Sequence, residues 1–72
     1  MELKETLYDV SDRVATITLN RPHRANAWTG VMHTEYRYLL QQADLDPDVG
    51  VIIVTGADNY FCVGADTNAL SG

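Results

Sequence analysis

Apolar and polar positions along the chain fall into blocks of different period. Residues 3–10, LKETLYDV, alternate only in part and predict a weak strand. Ser11 and Asp12 are turn-forming residues. Residues 13–19, RVATITL, are richer in β-branched side chains and predict a firmer strand. Ala15, Ile17 and Leu19 would share one face, and Val14, Thr16 and Thr18 the other. A two-residue link predicts an antiparallel hairpin, although it lacks the glycine that favours the tightest turns. From Val31 to Leu45 the period lengthens. Met32, Tyr36, Leu39, Leu40 and Ala43 then fall on one helical face, with Thr29 as N-cap and Asp46-Pro47-Asp48 as the stop. Residues 49–54, VGVIIV, are almost continuously apolar, as in a strand covered on both faces, and Thr55-Gly56 ends it. After Asp66, TNAL can open a short helix capped by that aspartate.

The order is therefore strand, strand, loop, helix, strand, loop, with the last two strands parallel across a helical crossover. One helix covers one side of a sheet. Cover for the other side is expected from residues outside this sequence or from a second molecule.

Composition narrows the setting. The chain has 72 residues, at most one small domain, and such chains are marginal alone. Its single cysteine, Cys62, excludes an internal disulfide, and His23, His33 and Cys62 have no zinc-site spacing. Cys62 reads as a small buried hydrophobe. The net charge of −5 argues against nucleic acid as a partner. Arg21 and Arg24 flank His23, which gives either a solvated turn or a local patch for an anionic ligand. No stretch approaches the roughly 20 apolar residues that span a bilayer, and the N-terminus lacks the apolar core of a signal peptide. A soluble, cytoplasmic protein is the expectation, without a membrane partner and without a metal.

In sheets of this kind, ligands collect beyond the carboxyl ends of the parallel strands. Two loops leave such ends: NRPHRANAW (20–28), which Pro22 helps to shape, and TGADNYFCVGAD (55–66). In the second, Gly64 permits unusual dihedrals and close approach. Ala65 offers an amide that no bulky side chain screens, and Asp66 would cap the following helix. Donors near a helix start lie at its positive end and can stabilise a developing oxyanion. Taken alone, the tripeptide reads first as a plain turn followed by a cap.

The ordered segments N-R-P, N-A, D-P-D-V, T-G and F-C-V-G-A-D, from about Val14 to Asp66, resemble the enoyl-CoA hydratase/isomerase, or crotonase, family. That resemblance implies an α/β crotonase-like β-β-α-β unit, with residues 1–72 forming the incomplete N-terminal part of the spiral fold. It implies an acyl-CoA thioester as substrate, coenzyme A entering as part of it, and no tightly bound cofactor. It implies that the Ala65 amide is one of two oxyanion donors. Arg24, Ala25, Ala27, Val63, Gly64, Asp66 and Thr67 are then the residues that contact substrate, with Arg24 suited to a CoA phosphate. The second donor and the two acid/base glutamates of hydratases belong to later parts of the pattern. Glu2, Glu5 and Glu35 do not match them, so the chain alone is expected to be inactive. Val63, Trp28 and Thr67-Asn68 depart from the usual residues. Hydration of a 2-enoyl-CoA in fatty-acid or related metabolism is the leading expectation, in a homo-oligomer as is common in the family. Alternatives are isomerase, thioester hydrolase or decarboxylase chemistry, a plain CoA-binding module, a remnant with no separate role, or a non-catalytic fragment that associates with itself.

Overall fold

In the computed structural model, residues 1–66 are described, and they form a three-stranded sheet with one long helix. The strands are β1 (Thr6–Ser11), β2 (Val14–Leu19) and β3 (Val51–Gly56), ordered β1-β2-β3. The helix α1 (Gly30–Leu45) joins β2 to β3, which run parallel, while β1 and β2 form the antiparallel hairpin. Thr67 and the helix expected over TNAL lie outside the described residues.

The core is the alternation of β2 set against the helical stripe. Ala15, Ile17 and Leu19 are buried, and so are Met32, Leu39 and Ala43 of α1. Thr29 caps α1 as expected: its hydroxyl accepts from the Met32 amide at 3.0 Å. Tyr36, expected on that stripe, is half-buried, and Glu35 is buried instead. The stripe is therefore rotated by about one position toward β1.

Several boundaries move for local reasons. The hairpin turn is Asp12-Arg13, not Ser11-Asp12. Both residues have positive φ (51° and 69°), the sense that matches strand twist. Ser11 pairs with Val14 inside the ladder. Strand β1 starts at Thr6, not at residue 3, because the Lys4 and Glu5 amides are taken by the Glu35 carboxylate. Strand β3 starts at Val51, since the Val49 amide turns back to Asp46 and the Gly50 amide donates to Arg13. Thr55 and Gly56 continue the ladder opposite Thr18 and Leu19 rather than ending it.

The expectation that β3 is covered on both faces is not met within the described residues. Val51 and Ile53 are 56% and 46% exposed on the face away from α1, and Ile52 is 38% exposed on the other. The helix packs chiefly over β1 and β2, so β3 forms an open edge of apolar side chains.

Candidate active site

Because Leu19 pairs with Gly56 in the parallel register, the loops after β2 and β3 leave the same edge of the sheet. The first loop is short-pitched. Pro22–Arg24 make one 3-10 turn, closed by the Ala25 amide bonding to the Pro22 carbonyl at 3.1 Å. Ala25 and Asn26 then take successive left-handed conformations, φ 51° and 57°. The second loop folds back over the end of β3. A side-chain carbon at Gly56 would lie 2.2 Å from the Tyr60 carbonyl oxygen, so only glycine fits there.

Two backbone bonds join the loops where the chemistry was expected. The Trp28 amide donates to the Gly64 carbonyl and the Asp66 amide donates to the Trp28 carbonyl, each at 2.8 Å. Trp28 and Ala65 thereby form a parallel bridge. Within one trans peptide unit the carbonyl and the N–H point to opposite sides. With the Gly64 carbonyl and Asp66 amide both turned to Trp28, the Ala65 N–H is turned away from it. Among the described residues this N–H has no acceptor. Gly64 makes the approach with φ +108°, a conformation other residues rarely adopt.

Ala65 opens onto a cavity of about 370 Å³ that it lines together with His23, Arg24, Ala27, Val63 and Asp66. Of the expected substrate contacts, Arg24, Ala27, Val63 and Asp66 thus surround one opening. Gly64 adjoins it in the chain, and Ala25 sits at the turn of the first loop. Thr67 lies outside the described residues. Arg24 is half exposed at 46%, and one of its nitrogens stands 3.7 Å from an Asp66 oxygen. Val63 is 60% exposed. Cys62 is half-buried rather than buried, with its sulfur 3.9 Å from the Gly64 carbonyl oxygen.

Arg21, Asn26 and Glu35 fasten this region, and each carries only a faint signal in the sequence. Arg21 is the hub. Its Nη1 donates to the Ala27 carbonyl (2.8 Å) and to an Asp66 carboxylate oxygen (3.1 Å), and its Nε lies 3.4 Å from Glu5. Asp66 is only 5% exposed, and its carboxylate is held between two arginines. Asn26 is wholly buried and bonds to both loops. Its asparagine type, tolerant of left-handed backbone, was the available clue. Glu35 was findable as a charge three residues after Met32 and four before Leu39, in the middle of the apolar stripe.

Glu35 anchors the start of β1. Its carboxylate accepts from the Thr6 hydroxyl at 2.6 Å, from the Lys4 amide at 3.0 Å and from the Glu5 amide at 3.1 Å. Burial alone pushes its pKa up, but these hydrogen bonds outweigh that and hold it below the ordinary glutamate value. A cavity of about 340 Å³ beside it, between the N-terminus and the start of α1, holds no other buried charge among the described residues.

Comparison with known proteins gives the family. The model for enoyl-CoA hydratase/isomerase matches residues 9–72. The chain belongs to the enoyl-CoA hydratase/isomerase family. It is 48% identical over 64 residues to a probable enoyl-CoA hydratase of Mycobacterium tuberculosis, covering 89% of this chain and 25% of that one. It is 39% identical over 62 residues to the 1,2-epoxyphenylacetyl-CoA isomerase of Escherichia coli, covering 86% and 24%. In structure it superimposes on an enoyl-CoA hydratase of Mycobacterium tuberculosis with a TM-score of 0.91 at 40% identity, covering 96% of this chain and 31% of that one. An enoyl-CoA hydratase/isomerase of Xanthobacter autotrophicus gives 0.92 at 40% identity, covering 94% and 25%. The fold is thus crotonase-like, and the strands and helix described here are part of it. The chain spans about a quarter of the length of the curated relatives it matches.

Proposed function

We propose that residues 1–72 are the N-terminal segment of an enzyme acting on acyl-CoA thioesters, and that they supply one half of its oxyanion site. The Ala65 amide stabilises negative charge on the thioester oxygen. Arg24 faces the CoA phosphates; Ala25, Ala27, Val63 and Gly64 leave room for the rest of the substrate, and Asp66 and Thr67 complete the set of substrate contacts that the family resemblance implies. The observation that carries this is the Ala65 N–H, turned away from Trp28 and without an acceptor among the described residues, on a cavity shared with Arg24. A donor held by two fixed neighbours needs no reorganisation when charge develops, which is the condition for a large electrostatic effect.

The reaction is hydration of a 2-enoyl-CoA in cytoplasmic acyl metabolism, with coenzyme A as part of the substrate. The segment by itself is inactive. It offers one oxyanion donor, and its one buried glutamate, Glu35, is committed to Lys4, Glu5 and Thr6. Two measurements test this. Titration of isotope-labelled chain with butyryl-CoA is expected to move the amide resonances of Ala65 and of the Arg24 loop. Shifts confined to other regions, or none at millimolar ligand, overturn the assignment. Crotonyl-CoA should lose none of its enone absorbance on incubation with the chain; turnover like that of a full-length hydratase refutes the inactivity.

Exposure of Val51, Ile52 and Ile53 on an edge strand supports a second role, self-association, in keeping with a homo-oligomer. Sedimentation decides it: a monodisperse monomer removes it.

A further inference from the structure

Among the described residues, Asn26 makes more of the junction between the loops than any other side chain outside the ion pairs. It is 0% exposed and sits at φ 57°. Its Oδ1 accepts from the Arg21 amide at 2.7 Å. Its Nδ2 donates to the Ala57 carbonyl at 3.0 Å and to the Tyr60 carbonyl at 2.6 Å. Both amide hydrogens are used, so this position needs two donors and an acceptor on one short side chain. The acceptors belong to the second loop: Ala57 directly follows β3, and Tyr60 lies where that loop folds over Gly56. None of the three partners is in 64–66. Two residues after Asn26, the Trp28 backbone is bonded on both sides of Ala65.

We propose that Asn26 is a positioning residue for the oxyanion donor: its carboxamide fixes the first loop against the root of the second, so that Trp28 can hold the Ala65 N–H toward the opening that Arg24 lines. This rests on the functional assignment of Ala65 given above. Glycine accepts the backbone but makes no link. Aspartate also tolerates the backbone and keeps the acceptor for Arg21, but it sets a carboxylate oxygen against two carbonyls. Alanine satisfies neither requirement. A residue that served only overall stability would weaken every protected amide together. A positioning residue opens the Trp28–Ala65 bridge while the sheet stays closed.

The test uses the isotope-labelled 72-residue chain, its Asn26→Gly variant, and Asn26→Asp in case the glycine variant does not fold. In hydrogen exchange, the bridge amides of Trp28 and Asp66 are expected to lose about tenfold in protection, the equivalent of one ordinary hydrogen bond, while those of β2 stay within about twofold of wild type. At saturating butyryl-CoA, the ligand-induced shift of the Ala65 amide is expected to shrink in the variants by more than half. Undiminished bridge protection in both variants, or equal loss at Trp28, Asp66 and β2, overturns the positioning role. A wild-type chain with no ligand-induced shift at Ala65 overturns the thioester assignment instead, so the two failures are distinguishable.

Discussion

Removing the Arg21 guanidinium tests how the site is held together. Arg21 is 15% exposed and its partner Asp66 5%, with 3.1 Å between Nη1 and Oδ2. In Arg21→Met the aliphatic stem is largely kept and the charge is lost. Asp66 then loses its nearer arginine, while Arg24 stands 3.7 Å away and half exposed. Breaking a fully buried pair costs about 3–5 kcal/mol. Solvent access at Arg21 and the second cation at Arg24 reduce that to roughly 2–3 kcal/mol. A chain of 72 residues has a total stability on the order of 4–11 kcal/mol. The variant should therefore lose a large fraction of it. In urea, with a slope near ~1 kcal/mol/M for a small domain, the midpoint should fall by about 2 M. Asp66→Asn should cost less, about 1–2 kcal/mol, because Arg21 keeps the Ala27 carbonyl and Glu5. The double variant closes the cycle, with an expected coupling of about 1–2 kcal/mol. A coupling below about 0.5 kcal/mol would equate the pair with an ordinary surface ion pair and refute the view that it fastens the two loops.

Other outcomes follow from single positions. Glu35 has a lowered folded-state pKa, so between its folded and unfolded values the unfolded chain binds more protons. Its contribution is whole above the ordinary glutamate range and disappears as pH falls through the folded value. Thermal melts from neutral pH down to about pH 3 should show that loss, and Glu35→Gln should flatten the acid limb. Gly56→Ala places a carbon 2.2 Å from the Tyr60 oxygen and 2.5 Å from that of Phe61, so the backbone must shift. A loss of about 1–3 kcal/mol in urea unfolding is expected, and a neutral result would contradict the fold-back of this loop. Gly64→Ala meets no neighbour within 4 Å, so its cost is backbone strain alone at φ +108°, about 1–2 kcal/mol. Ile53→Lys, on the exposed face of β3, should leave the unfolding midpoint nearly unchanged and lower any self-association seen by sedimentation.

The fold was legible where period and packing agree. The β-branched alternation of 13–19, the helical stripe from Met32 to Ala43 and the Thr29 cap each recur in the structure because burial and local preference favour the same conformation. The misread ends have a common cause. Lys4, Glu5, Val49 and Gly50 were assigned to strands by composition, yet their amides bond to Glu35, Asp46 or Arg13. Such partners lie far off in sequence or across a turn, and no local pattern encodes them. Arg13 at φ 69° is the same case: strand twist favours a left-handed turn there over the residue's own preference.

For the site, what could be read was its backbone and not its side-chain fastening. Gly64 announced an unusual dihedral, found at φ +108°, because that follows from what a residue lacks. Arg21, Asn26 and Asp66 act through what they reach. Arg21 spans 45 positions to Asp66, and Asn26 spans 34 to Tyr60. From charge alone Arg21 and Arg24 look equivalent, two cations on one loop. Burial separates them. Arg21 is enclosed and has three acceptors, whereas Arg24 stays half exposed at the rim. A guanidinium with that many fixed partners cannot turn to an incoming anion without breaking the junction that holds Ala65. The one at the rim can, and that difference is the reason the proposed phosphate contact is given to Arg24 rather than to Arg21.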